Sequence, residues 1–465
     1  MTSNTAAPTE LGTERIGKLL RMYAVPGIIA QTAASFYNVI DSMYIGHIKD
    51  VGSYAISGLA VTFPLMNLSA ALGTLVGVGA MTLISVLLGQ KNYEAARKVL
   101  ANVLSLNLII GFVFSALTLS FLSPILGFFG ATENTLPFAR SYMVIILLGN
   151  VFTHLYFGFN GLIRVSGHPK IAMGLTLFTV ALNAILDPIF IFVLDMGIQG
   201  AALATVICQL LVLAYSLFFL ADKRRILHFP RPIFQINGRI ARQSLAIGLS
   251  PFLMNSAACL VALFINQQLL KYGGDLAIGS YGIVNRITMM FLMIVMGLNQ
   301  GMQPIAGYNY GARQYKRVKE VFWMTASWAV VISTVCWIVS VFFPRAACSL
   351  FTTDPELLSL SSVGLRRMNL VVMVVGFAMV VGNFFQCLGM VKISIFMSLC
   401  RQLIFLLPLV YTLPLYFKES GVWFSFPIAD VISLTFAIFF ITRLFRKFDR
   451  LRDGDDASSL GGELS

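Results

Sequence analysis

The sequence predicts an all-α polytopic membrane protein, with twelve transmembrane helices in two six-helix halves. Three observations carry that prediction. Of the 465 residues, 57% are hydrophobic and 11% charged, against about 25% charged in a typical soluble domain. Apolar runs of about 20 residues, the length that spans a bilayer as a helix, recur along the whole chain. The second half of the chain also repeats landmarks of the first. The runs do not alternate every second residue, as strands of a membrane barrel would.

By hydropathy the helices fall at 16–45, 52–87, 93–121, 136–165, 170–194 and 198–221, then at 240–271, 277–308, 315–343, 357–387, 391–417 and 422–446. The first run holds Pro26, Gln31, Asn38 and Asp41. It is too long and too polar for a secretory signal, so it reads as an uncleaved first helix. The organisation expected is a first lobe at 1–222, a linker at 223–239, a second lobe at 240–450 and a disordered tail at 451–465. The linker carries Pro230 and Pro232, which stiffen it. The tail is rich in Gly, Asp and Ser.

The formal charge of +13 does not point to nucleic acid, because the basic residues cluster in every second connection. Lys91, Arg97 and Lys98 follow the second helix. Lys223, Arg224, Arg225 and Arg231 follow the sixth. Arg313, Lys316, Arg317 and Lys319 follow the eighth, and Arg443, Arg446 and Lys447 close the last. The alternate connections hold few. The positive-inside rule then puts both termini in the cytoplasm of a plasma-membrane protein.

The repeat is read from paired landmarks. Pro26 aligns with Pro251, and the same offset carries Asp41 onto Asn266 and Asp50 onto Asp275. Gly89-Gln90-Lys91-Asn92-Tyr93 aligns with Gly311-Ala312-Arg313-Gln314-Tyr315. Gly167 and Lys170 align with Gly389 and Lys392. Six spans per half preserve orientation, so the halves are related by a pseudo-twofold axis along the membrane normal.

The candidate chemistry lies in the first half. Asn183 and Asp187 are four apart, which puts them on one helical face, one turn apart. An ionised Asp near the bilayer centre costs roughly 2.5–3.5 kcal/mol on insertion scales, so it seeks a cavity or a partner. Asp41 shares a face with Tyr37 and lies about 35 Å from Lys18 at about 1.5 Å per residue. It is either an interfacial acid ending the first helix or a cation or proton site shared with the fifth. Thr205 and Gln209 on the sixth helix could complete an oxygen-rich pocket. Pro26 removes a helical hydrogen bond and is either a static kink or a hinge.

The second half has no equivalent acids. Asn266 replaces Asp41, and Phe405 and Leu409 stand near the places of Asn183 and Asp187. Its intramembrane charges are Arg286, Arg401 and Asp430, which either pair or snorkel, or shape a cavity. Met289, Met290, Met293, Met296 and Met302 crowd the eighth helix, as packing surface or as an adaptable cavity wall. The six cysteines show no metal or redox spacing and read as packing residues. No phosphate-binding loop or metalloprotease motif occurs, so an enzyme is not expected. No cofactor and no nucleic-acid partner are expected either.

The chain resembles the multidrug and toxic compound extrusion family. The resemblance covers about residues 15–450. It is carried by Pro26 and Asp41, by Gly89-Gln90, by Asn183 and Asp187, by Gly197–Thr205, and by Gln303-Pro304-Ile305-Ala306-Gly307-Tyr308-Asn309-Tyr310-Gly311-Ala312. The last of these looks like bacterial members in particular. The resemblance implies a V-shaped, monomeric exporter of organic cations that runs on H⁺ or Na⁺. It assigns ion coupling to Asp41, Asn183, Asp187 and Thr205, with Na⁺ as the one metal such a site could take. Acids that some branches carry on helices seven, eight and ten are missing here. A lipid or lipid-linked sugar flippase of the same superfamily is the alternative. A flippase would favour a strongly cationic cavity, against which the two acids argue.

Overall fold

The computed structural model describes residues 10–48, 52–234, 236–451 and 453–455. Asp50 and the tail beyond 455 lie outside the described residues, as do the side chains of Asn38 and Asp275. The first half contains α1 (Ile16–Gly46), α2 (Gly52–Gly89), α3 (Tyr93–Ser120), α4 (Leu136–Val165), α5 (Pro169–Pro188) and α6 (Ile198–Ala221). The second contains α7 (Gly238–Gly274), α8 (Leu276–Gly311), α9 (Tyr315–Phe342), α10 (Pro355–Met368 and Val375–Cys387), α11 (Val391–Phe417) and α12 (Glu419–Phe448). Among the described residues ten helices are long and apolar enough to cross a bilayer, and the two pieces of α10 make an eleventh. Helix α1, which carries Gln31 and Asp41, completes the twelve at 31 residues.

Local chemistry sets several helix starts. The Asn92 side chain accepts from Ala95 N at the start of α3. Asp354 accepts from the amides of Glu356 and Leu357 at the start of α10, with Pro355 in the first turn. Both satisfy amides that a helix start otherwise leaves open. Helices α6 and α12 start on the same backbone conformation, φ 55 and ψ −136 at Gly197 and φ 52 and ψ −135 at Lys418. Glycine adopts that geometry freely; lysine does so only under strain.

The tenth span departs from the unbroken helix expected at 357–387. It bends by 51° between its two pieces. Buried Asn369 sits at the break and donates from Nδ2 to Thr288 Oγ1 (2.8 Å) and Ser340 Oγ (3.0 Å). The indole of Trp337 donates to Leu370 O at 2.8 Å. Backbone groups freed inside a membrane must find partners in the protein, and for the Leu370 carbonyl the Trp337 side chain of α9 is that partner.

By packing, the chain forms two compact units. One contains residues 29–252, and the other 11–28 together with 253–455. The repeat places the lobe limits at 1–222 and 240–450. The packing units instead divide within α1 and α7, just past Pro26 and Pro251.

In the first unit α2 and α7 cross at glycines. A Cβ on Gly248 would fall 1.7 Å from Leu75 O, and one on Gly79 would fall 1.8 Å from Ser244 O. In the second unit α8 meets the start of α1 in the same way: a Cβ on Gly297 would fall 2.5 Å from Ile28 Cα, and one on Gly301 2.5 Å from Ala24 Cα. Close helix approach through small residues is the usual means of packing in lipid, where apolar burial drives little.

The segment between α6 and α7 is held against the first unit. Arg97 Nε donates to Ile226 O at 2.9 Å, and Asn237 N donates to Asn102 Oδ1 at 3.0 Å. The rings of Phe159 and Phe229 meet edge-on at 5.8 Å. Arg225 lies 3.5 Å over the ring of Phe219 and reaches His168 Nε2 at 3.3 Å. Burial, and then the charge of Arg225, hold the His168 imidazole below its ordinary pKa.

Candidate functional site

Helices α1, α4, α5 and α6 bring the acids together inside the first unit. Asp41, Asn183 and Asp187 are all buried. The Asp41 and Asp187 carboxylates lie within electrostatic reach of each other, and Asn183 stands one turn before Asp187 on the same helical face. Thr205 ties three helices. Its Oγ1 lies 2.8 Å from the Tyr37 hydroxyl and accepts from Asn183 Nδ2 at 3.4 Å.

Both carboxylate oxygens of Asp187, one of Asp41 and the carbonyl oxygen of Asn183 are buried and find no donor among the described residues. A buried polar atom left open costs on the order of 1–3 kcal/mol, and an ionised one costs more. Two carboxylates in contact cannot both remain ionised at low cost. A single shared proton, or a cation between them, satisfies the arrangement.

The local backbone is modified at this point. Pro188 has no N–H, and the next residues, Ile189–Val193, form a π-turn in which Leu194 N bonds to Ile189 O at 2.9 Å. Such turns within α-helices are frequent at functional sites. Tyr142 of α4, fully buried, lies within electrostatic reach of both carboxylates. Sequence reasoning missed it, because nothing in its local pattern separates it from a core tyrosine.

The other expected residues are placed as follows in the two units. Gln209 accepts from Thr153 Oγ1 on α4. Gln31 is half-buried, and its carbonyl accepts from Ser35. Pro26 is buried in the part of α1 that packs in the second unit, and the helix continues through it. In the second unit, Arg401 is ion-paired to buried Asp430. Arg286 and Met289 are exposed on α8, and Met293 is half-buried.

The fold and this site define a helical membrane transporter built on an internal repeat. The family model MatE matches residues 26–189 and 247–412, one segment in each half, and the chain belongs to that family. It is 28% identical over 429 residues to the multidrug export protein MepA of Staphylococcus haemolyticus, covering 92% of this chain and 94% of that one. With MepA of Staphylococcus aureus strain MSSA476 it shares 29% over 413 residues, covering 89% and 90%. Among solved structures it matches the MATE multidrug transporter DinF-BH at 36% identity and a TM-score of 0.87, over 95% of this chain and 98% of that one. A MATE structure in a bent conformation matches at a TM-score of 0.89 and 22% identity, over 97% of this chain and 99% of that one, which speaks for the fold. The protein is a multi-pass membrane transporter of the multidrug efflux type and not an enzyme.

Proposed function

We propose that the protein exports organic, amphipathic cations in exchange for H⁺ or Na⁺, by alternating access of its two six-helix halves. The observation that carries this reading is the buried pair Asp41 and Asp187, left without donors and needing a cation or proton. Asn183 and Thr205 complete the site. Binding at the pair removes negative charge from the first unit, and its release restores an attraction for a cationic substrate. The export direction follows from likeness to multidrug export proteins. Both termini face the cytoplasm of the plasma membrane, and the chain works as a monomer without a cofactor.

The test is ethidium transport in proteoliposomes under a pH gradient alone and under a Na⁺ gradient alone. One gradient is expected to drive transport. Asp41→Asn and Asp187→Asn should each abolish it while the protein still inserts. Wild-type transport by either variant would remove that residue from the coupling site.

A further inference from the structure

The segment from Lys223 to Asn237 leaves α6 and enters α7, two membrane-spanning helices, so it lies at the level of the bilayer surface. Its apolar residues fall into two sets. Leu227 is buried and Phe229 half-buried, and Phe229 N bonds back to Leu220 O at 3.0 Å. With the bonds from Arg97 to Ile226 O and from Asn237 N to Asn102, they hold the segment at both ends. The second set is open: Ile233 is 43% exposed, Phe234 69% and Ile236 56%. An exposed apolar cluster beside polar residues marks a partner or a membrane contact.

The charge around that cluster says which. Arg231 precedes it, Arg239 and Arg242 follow at the start of α7, and all three are exposed. No acid occurs in the chain between Asp222 and Asp275 to offset them. Large apolar residues flanked by arginines fit the boundary between headgroups and acyl chains of an anionic membrane. The apolar side chains enter that boundary, and the guanidinium groups meet lipid phosphates.

The internal repeat supplies a control. The segment leaving α12, the counterpart of α6, carries Asp449, Asp453 and Asp455. None of its described residues is an exposed large apolar one. It docks on its own unit instead: Lys319 is ion-paired to Asp449, and Gly454 N donates to Arg313 O at 3.0 Å. Leaving a sixth helix therefore does not by itself demand exposed apolar residues or positive charge.

We infer that residues 231–242 form a docking surface for an anionic bilayer, with Ile233, Phe234 and Ile236 inserted and Arg231, Arg239 and Arg242 on the headgroups. In the orientation proposed above this is the cytoplasmic leaflet. Because the segment is fastened to the first unit, the contact anchors that unit to the lipid. Transport then depends on the anionic lipid content of the membrane, through a contact that uses none of the coupling residues. The attraction weakens as salt rises.

The experiment uses the full-length protein with a spin label at Ile236→Cys, in nanodiscs of phosphatidylcholine alone and of phosphatidylcholine mixed with phosphatidylglycerol. The signal of the chain without that substitution, whose cysteines are buried or half-buried, is subtracted. Collisions of the label with oxygen, which concentrates in lipid, are compared with collisions with a water-soluble nickel chelate. In the anionic discs the label should favour oxygen. Each of Arg231→Gln, Arg239→Gln and Arg242→Gln should lower the ratio of docked to free segment about fivefold. Ile233→Ser/Phe234→Ser should free the label even in the anionic discs. Free access of the chelate in the anionic discs, with all three arginines present, overturns the inference. So does an oxygen preference equal in both lipids and unchanged by the glutamine variants. Shielding from both probes alike means that protein covers the face, either a second copy or the chain's own end, and overturns it too. No transport is measured, so the coupling site stands or falls separately.

Discussion

The fifth and eleventh helices occupy matching places in the two halves, and both contain a π-helical segment, Ile189–Val193 and Cys400–Leu406. Their charged groups end differently. In α5 the acid Asp187 is buried beside a second acid, and its oxygens lack donors among the described residues. In α11 the base Arg401 meets buried Asp430 of α12, and the charges cancel. Near the places of Asn183 and Asp187 the second half has Phe405, stacked on Phe436 at 5.8 Å, and Leu409. One scaffold thus carries a closed electrostatic account in one half and an open one in the other. The open one is where we place the ion of the proposed exchange.

The sharpest way to break this comparison is to neutralise one acid in each half. Asp187→Asn should lower dye efflux on the order of 100-fold or more, as loss of an essential proton-handling group does, with thermal stability held or raised. Asp430→Asn should do the reverse and mainly destabilise the protein, because it strands the charge of Arg401. The expected loss is about 2–3 kcal/mol, below the full figure for a buried pair because Arg401 is partly exposed. Thermal denaturation in detergent, run beside efflux in cells, separates the two. Equal activity loss with equal stability loss would erase the contrast between the halves.

A smaller effect is expected where the backbone repeats but the residue does not. Lys418→Gly should raise stability by about 1 kcal/mol by relieving strain at the start of α12. Gly197→Ala should lower it by about 1–3 kcal/mol at the equivalent start of α6. Thermal denaturation reads both, and no gain in Lys418→Gly would mean that the strain is already relieved locally.

The smallest effect concerns the turns between α4 and α5 and between α10 and α11. His168 in the first aligns with Met390 in the second. The folded state holds His168 below its ordinary pKa of about 6.5. Its contact with Arg225 is therefore intact above that value and is lost as pH falls through the lowered folded value. A spin label at Lys223 should become more mobile on acidification in wild type, but not in His168→Gln. A label beside Met390 should show no such change.

Much of this was legible in the sequence. The twelve spans followed from hydropathy, since bilayer thickness fixes helix length. Asp41, Asn183 and Asp187 stood out because acids and amides are rare in such runs, whereas Thr205 took its place from the family resemblance. The π-turns were not visible, because they depend on how the chain reconciles a proline with its neighbours. The break in α10 was hidden because its carbonyl is capped by Trp337, a residue on another helix. Tyr142 escaped notice for a related reason, since only packing shows which groups a buried tyrosine meets.

The segment from Asp222 to Gly238 is fastened along the first unit by Arg97, Asn102 and Phe159. The chain passes between the units near its start, at Glu10–Leu11, and then inside two continuous helices, at Ile28–Ile29 and Phe252–Leu253. Those two helices are therefore shared between the units, and each of these crossings falls within three residues of a proline, Pro26 in α1 and Pro251 in α7.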